Sequence, residues 1–316
     1  MKKRIKTIVI SIISVLLLSL IIFIVIDVLA FKILCPIQDN AKGSANFTLI
    51  KKPYNYRIWK KMKYRQIKNN DAKKVVFGTE NSTPGVILLG CEYMYGINLN
   101  PEQTLGAKLS KIIDAPVYNL AVLSGGPQHA LLKVESGDYD DEIRNSKYAI
   151  YLATGEHSWR ASTYSNGYFM EKYTWPRYVI KENKLVYHKK ISLFEKTYIY
   201  QYLNKFYWTK LASFDKTFDI VKMHFLKLNE ELKKINPKIS LVIILFQDND
   251  NNLEFLTTDR WKELKNAGIV VLDADEMSLK NDIIVTSQEY RLPNLGHPSE
   301  KVWDVLAPEI KQELNL

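Results

Sequence analysis

The sequence predicts a three-layer α/β/α domain on a mainly parallel sheet, preceded by one apolar N-terminal helix. Three observations carry this. Short apolar runs of strand length alternate with stretches of helical periodicity, the pattern of βαβ units. The runs at Val86–Leu89, Lys147–Ala153 and Ile239–Phe246 are almost wholly apolar, as strands covered on both faces are. The uncharged run Thr7–Ile26 is long enough to cross a hydrocarbon core as a helix.

At the N-terminus, Lys2, Lys3, Arg4 and Lys6 precede the apolar run. Cationic residues stay on the cytoplasmic side, so residues 1–30 are expected to form a cytoplasmic tip and an uncleaved single-pass anchor in the cytoplasmic membrane. The remainder is then extracytoplasmic. Val28-Leu29-Ala30-Phe31 extends the run past Asp27, and no small-residue cleavage site follows, which disfavours a removed signal peptide. Leu34 before Cys35 disfavours lipoprotein cleavage. Residues 31–74 are polar, basic and weakly periodic. They read either as a juxtamembrane segment resting on headgroups or on the domain, or as an ordinary linker.

From Val75 to the end of the chain the α/β alternation runs. The first clear strand, Val86–Leu89, stops at Gly90. A polar and aromatic turn, Cys91-Glu92-Tyr93-Met94-Tyr95, leads to Gly96, and a helix is expected over Gln103–Ile113 from the spacing of Leu105, Leu109 and Ile112. Val117–Val122 is the second strand. Ser124-Gly125-Gly126 is a turn, and Pro127 is placed to start a helix. Lys147–Ala153 is the third strand, Phe218–Lys234 a helix, Ile239–Phe246 the fourth strand, Leu253–Asn266 a helix and Gly268–Leu272 the fifth strand. Ser299–Leu314 closes the chain as a helix. The rhythm breaks once, over about residues 156–216, where Trp159, Tyr164, Trp175, Tyr198, Trp208 and many other aromatics are interleaved with lysines. Long insertions serve as lids, binding surfaces or small subdomains. Aromatic faces of this kind suit stacking on sugar rings, and they equally suit the subdomain's own core.

Composition narrows the function classes. With 47% apolar and 25% charged residues the chain is globular. A formal net charge of +10 suits an anionic surface such as phospholipid or an acidic wall polymer. It arrives without any nucleic-acid-binding motif, so no nucleic-acid partner is expected. The two cysteines, Cys35 and Cys91, are too few for a disulfide scaffold, and no bridge between them is expected. The five histidines (His129, His157, His188, His224 and His297) lack ligand spacing. There is no phosphate loop, so neither a metal nor a cofactor is expected.

Four motifs resemble those of the SGNH (GDSL-type) esterases and acetyltransferases. Gly90, Tyr93, Tyr95 and Gly96 fall on the family's first block, Gly-Asp-Ser-aromatic-Thr-aromatic-Gly, and Cys91 matches a variant with Cys in place of Asp. The nucleophilic serine falls on Glu92. Asn119 to Gln128 is similar to the second block. There the resemblance implies an oxyanion donor from the backbone of Gly125 or Gly126, although Ser124 stands where one family glycine usually does. Gly155 to Arg160 is similar to the third block. Glu156-His157 is closer to the Asp-His pair of membrane-anchored members than to Gly-x-Asn-Asp, and His157 is the implied donor. Arg291 to Ser299 is similar to the last block. His297 matches the catalytic base, and Asn294 or Leu295 occupies the place of the orienting aspartate. An asparagine can hold an imidazole but cannot stabilise the imidazolium as a carboxylate does.

The resemblance implies a flavodoxin-like three-layer sandwich of SGNH type and a role in acylating or deacylating cell-surface glycans. The residues leave the chemistry open. A serine hydrolase needs an alcohol that an imidazole can deprotonate, and Glu92 has none. Three readings follow. Glu92 pairs with His297 in a catalytically silent site. Glu92 and His297 act as general base and acid on a water. Or Cys91 or Ser124 is the nucleophile. The alternatives to an ester hydrolase or O-acyltransferase are a non-catalytic module that binds an acylated carbohydrate, and a subunit that assembles with a membrane partner protein.

Overall fold

The computed structural model describes residues 11–26, 29, 75–78, 84–123, 125–161, 178–187, 214–247, 253–292 and 296–316. The juxtamembrane segment, most of the aromatic insertion, Cys35, Ser124, Asn294 and Leu295 lie outside them. Residues 11–26 are helical and expose apolar side chains, among them Ile12, Leu16 and Leu20. No helix among the described residues is long and apolar enough to cross a membrane. The expected span starts at Thr7, outside the described residues.

The α/β body follows the chain as β1 (Val75–Phe77), β2 (Gly85–Leu89), α1 (Glu92–Tyr95), α2 (Leu105–Ile113), β3 (Val117–Asn119), α3 (Pro127–Glu135), α4 (Asp140–Arg144), β4 (Ser146–Ala153) and α5 (Glu156–Ala161). After the small hairpin β5 (Tyr178–Lys181) and β6 (Lys184–Tyr187) come α6 (Phe214–Ile235), β7 (Ser240–Leu245), α7 (Leu253–Thr257), α8 (Trp261–Asn266), β8 (Val270–Asp273), α9 (Ala274–Leu279) and α10 (Glu300–Leu314).

The main sheet runs β1-β3-β2-β4-β7-β8. All its pairs are parallel except β1–β3, an antiparallel edge. Set β1 aside and the parallel strands take the doubly wound order 2-1-3-4-5. The chain reverses direction across the sheet between β2 and β4, and such sheets bind ligands outside the carboxyl ends at that point.

The period of two along each strand divides the core. Ile87, Leu89, Ala149, Tyr151, Leu241 and Ile243 pack on one face with Leu131, Phe218, Phe225 and Trp261. Val86, Leu88, Ile150, Leu152, Val242 and Ile244 pack on the other with Leu105, Leu109, Val302, Trp303 and Leu306. This is why the central strands read as continuous apolar runs: every residue has a helix to face.

Two differences from the sequence reading have a local cause. The second strand ends at Asn119 instead of Val122, because the Asn119 side chain turns the backbone. Its amide donates to the Met94 carbonyl (3.0 Å) and its oxygen accepts from the Ala121 N–H (3.1 Å). The single helix expected over Leu253–Asn266 is two, divided at Thr258, whose hydroxyl accepts from the Arg260 N–H (3.3 Å), a local bond that competes with helix.

Candidate functional site

The turn after β2 is fixed by backbone constraints. Gly90 has φ +142°, and a Cβ there would lie 3.2 Å from the Leu152 carbonyl oxygen. Gly96 closes α1 in the left-handed region (φ +80°), where a Cβ would meet Thr104 Cγ2 at 2.4 Å. Between them Cys91 is buried (1% exposed), and Glu92 opens α1 at the carboxyl end of β2. The turn after β4, the neighbouring strand across the switch point, carries α5. Glu156, His157 and Arg160 are therefore brought beside Glu92.

Arg160 organises the site. Its side chain is 6% exposed and that of Glu92 15%. Nη2 donates to Glu92 Oε1 (2.9 Å) and Nη1 to Glu92 Oε2 (3.1 Å), the two-pronged match of guanidinium to carboxylate. Nη1 also donates to the Gly125 carbonyl (2.9 Å), and Nη2 makes a short ion pair with Glu156, one helical turn away. Burial opposes the charge on Arg160, but the hydrogen bonds and charge of Glu92, with Glu156, raise its pKa further above an already high ordinary value. Glu92 is thus ion-paired with Arg160, a partner that none of the three readings names. Arg160 ends the third motif, and the resemblance implies no role for it. Its one signal is the i,i+4 spacing from Glu156.

The glycines of the second block are engaged. The Gly125 N–H donates to the Val122 carbonyl (2.8 Å), and the Gly126 N–H to His129 Nδ1 (3.2 Å). Both amides thus have acceptors within the protein.

His157 stands behind the site, fully buried (0% exposed). Nδ1 accepts from the Thr154 N–H (3.3 Å) and faces the Tyr151 hydroxyl at 3.0 Å. An amide can only donate, so the ring proton is on Nε2 and Tyr151 donates as well. Burial first, then the charge of Arg160, push the imidazole well below its ordinary value. It is a neutral histidine of the core, neither at the surface nor open to a ligand.

His297 comes to the site on the loop between the Gln288–Tyr290 turn and α10. Arg291 holds that loop to the sheet. Its Nε donates to the Thr286 carbonyl (2.9 Å), Nη1 to the Gly296 carbonyl (2.7 Å) and Nη2 to the Gln247 carbonyl just beyond β7 (2.6 Å). The His297 ring is half-buried and meets the Tyr93 ring at 5.2 Å. Burial lowers its pKa, Glu92 and Glu156 raise it, and Arg160 and Arg291 lower it again. The tight turn after β2 and the imidazole before the last helix therefore meet, as the motifs imply. His297 Nδ1 has no hydrogen-bond partner among the described residues. Asn294, its expected orienter, lies outside them.

No group of three or more metal-ligating side chains gathers among the described residues. The arrangement brings together a carboxylate pair bridged by one arginine, a neutral imidazole and an aromatic ring. Of the two candidate nucleophiles, Cys91 is buried and Ser124 lies outside the described residues.

No protein-family model and no curated protein matches this chain. Among solved structures it is similar to a member of the lipolytic protein G-D-S-L family from Veillonella parvula DSM 2008. The identity is 12%, the match covers 73% of this chain and 97% of that one, and the TM-score is 0.40. A G-D-S-L-family protein from Desulfitobacterium hafniense DCB-2 is similar at 11% identity over 73% of this chain and 99% of that one, with TM-score 0.46. A carbohydrate esterase whose active site is described as having divergent catalytic and non-catalytic binding functions is similar at 12% identity over 75% and 69%, with TM-score 0.45. G-D-S-L proteins are the group whose motifs the sequence resembles. Every residue role above rests on the geometry.

Proposed function

We propose that this chain is an SGNH-hydrolase-like protein that binds acyl-substituted cell-surface glycans without hydrolysing them, tethered to the outer face of the cytoplasmic membrane by its N-terminal helix. The observation that carries the non-catalytic reading is the Glu92–Arg160 pair. The residue in the nucleophile position is a carboxylate whose two oxygens are both taken by a buried guanidinium. As a base it would have to release that pair, at a cost of several kcal/mol on the order of a broken buried ion pair. As a nucleophile toward an ester it would form an anhydride. The engaged amides of Gly125 and Gly126 remove the second requirement of acyl transfer, donors aimed at developing negative charge. The tether is supported by the uncharged run Thr7–Ile26 behind a cationic start. The glycan is supported by the basic balance of the chain and the aromatic insertion. In this reading a membrane partner protein carries out the acyl chemistry.

The test is hydrolysis of p-nitrophenyl acetate by the full chain in detergent, beside His297→Ala. Equal rates in the two proteins, together with retention of O-acetylated polysaccharide, are expected. Turnover that disappears in His297→Ala would overturn the non-catalytic reading and make His297 a working base or acid.

A further inference from the structure

The β5–β6 hairpin lies inside the aromatic insertion, and its two faces differ. Tyr178 pairs with Tyr187, Ile180 with Leu185 and Lys181 with Lys184. Side chains alternate along a strand, so Tyr178, Ile180, Leu185 and Tyr187 share one face. That face is docked. Tyr178 and Leu185 are buried. The Tyr178 hydroxyl donates to Glu135 Oε2 (2.7 Å), and Lys227 pairs with Glu135 Oε1 (2.8 Å) and donates to the Leu185 carbonyl (3.3 Å). The hairpin is thereby fastened to α3 and α6.

The opposite face and the tip stay open. Lys181, Lys184 and Val186 share the outer face, and all three are exposed. Ile180, on the docked face beside the tip, is 42% exposed, as is Val186. Glu182 and Asn183 both have positive φ, the geometry of a tight two-residue turn, so the two lysines stand directly across the ladder. Like charges so placed destabilise a hairpin, and among the described residues neither lysine has an ion pair. The described residues hold 21 basic and 26 acidic side chains, a net of −5, although the whole chain carries +10. The body at large therefore does not draw anions, and the hairpin tip, two lysines against Glu182, is a local exception. Unopposed cations beside exposed aliphatic side chains suit an anionic lipid surface, with ammonium groups at the phosphates and aliphatic groups below them. A soluble polyanion would use the lysines and leave Ile180 and Val186 in water.

We infer that the tip of the β5–β6 hairpin is a second membrane contact: Lys181 and Lys184 bind the phosphates of anionic phospholipid, and Ile180 and Val186 enter the headgroup layer. This goes beyond the glycan-binding role proposed above and shares with it only the tether.

Lysine acetylation footprinting of the full chain tests this. The chain is held in nanodiscs of phosphatidylcholine, alone or mixed with phosphatidylglycerol, and the rate at each lysine is read by mass spectrometry. On the mixed discs Lys181 and Lys184 should react about tenfold more slowly than on the neutral ones, a step of the size that a pair of lysines gains at an anionic surface. Lys301, exposed on α10 across the sheet, should react equally on both. Added salt should restore the rates, and the double variant Ile180→Ser/Val186→Ser should lose most of the protection. Equal rates at Lys181 and Lys184 on the two discs, or equal slowing at Lys301, would overturn the inference. Inorganic polyphosphate added to neutral discs is the second arm. Protection that matches the lipid's and persists in the double variant would assign a soluble polyanion and overturn the lipid contact. Should the double variant fold poorly, the wild-type comparison of the two discs decides. The two proposals fail separately. A chain that does not co-purify with neutral discs ends the tether, and the same footprint with added phosphatidylglycerol vesicles then decides the hairpin. Protection of the hairpin without retention of O-acetylated glycan leaves this contact standing and ends the glycan reading.

Discussion

The two halves of the site are held by different forces. On the β4 side, Arg160 donates to both oxygens of Glu92, to Glu156 and to the Gly125 carbonyl. A rigid fork and a carboxylate fit in one way, so this half is specified by hydrogen-bond geometry. On the α10 side, His297, Phe246 and Trp303 are joined through ring contacts. Tyr93 meets His297 at 5.2 Å and Phe246 at 6.0 Å, and Phe246 meets Trp303 at 6.4 Å. Here the side-chain polar atoms His297 Nδ1, Ser299 Oγ and Trp303 Nε1 are buried with no partner among the described residues. One half is electrostatic and the other is packing. The difference means that the two sides can be perturbed separately.

The largest expected effect is on the electrostatic half. Arg160→Leu leaves Glu92 ionised and enclosed, and should cost about 3–5 kcal/mol of unfolding free energy in urea titration. Adding Glu92→Leu should recover most of that loss, because an apolar pair in place of a buried ion pair is often nearly neutral. A single-mutant loss under about 1 kcal/mol would show the pair to be a surface-type contact and would erase the contrast between the halves.

Arg160 also marks the limit of what the sequence shows. Strands buried on both faces announce themselves, since Val86–Leu89 has no polar residue and Ile239–Phe246 has only Ser240, at its start. The doubly wound order does not, because nothing local in β2 says that β3 and β4 lie on either side of it. Glu92 and His297 were legible from their places just past a strand and just before the last helix. Arg160 was not. An i,i+4 Glu–Arg pair on a short helix reads as a solvated face, and only the pairing of β2 with β4 turns it toward Glu92. The use of the Gly125 and Gly126 amides was equally hidden, since it depends on Val122 and His129, whose roles are set by the turn's own geometry.

An effect of intermediate size comes from histidines on the electrostatic face of the core. His157 and His224 are both fully buried. Burial lowers both pKa values, that of His224 from 6.5 to about 4. Above pH 6.5 each is neutral folded and unfolded, and stability is at its full value. As pH falls from 6.5 toward 4, the unfolded chain binds a proton that the folded core refuses at His224, so stability declines by about 1.4 kcal/mol per pH unit on its account. His224→Leu removes one of them. Its urea-unfolding free energy should fall less steeply over that window than the wild type's, by about that amount per unit. An unchanged slope would mean that the His224 ring takes up its proton without opening the core.

The smallest effect is expected at the residue that the motifs make most prominent. His297 is half-buried, makes no side-chain hydrogen bond among the described residues, and is placed by the backbone contacts of its loop: its carbonyl accepts from the Leu292 N–H (2.7 Å), and the Ser299 N–H donates to the Tyr290 carbonyl (2.8 Å). Those bonds survive truncation of the ring. His297→Ala therefore loses chiefly the aromatic contact with Tyr93, about 0.5–1.5 kcal/mol, and the loss is partly offset because a buried nitrogen without a partner is removed with it. A thermal-melting shift as large as that of Arg160→Leu would show that the imidazole is bound into a polar network of its own. The α10 side would then be electrostatic too, and His297 would have to be treated as a charged partner of Glu92 instead of a ring beside Tyr93.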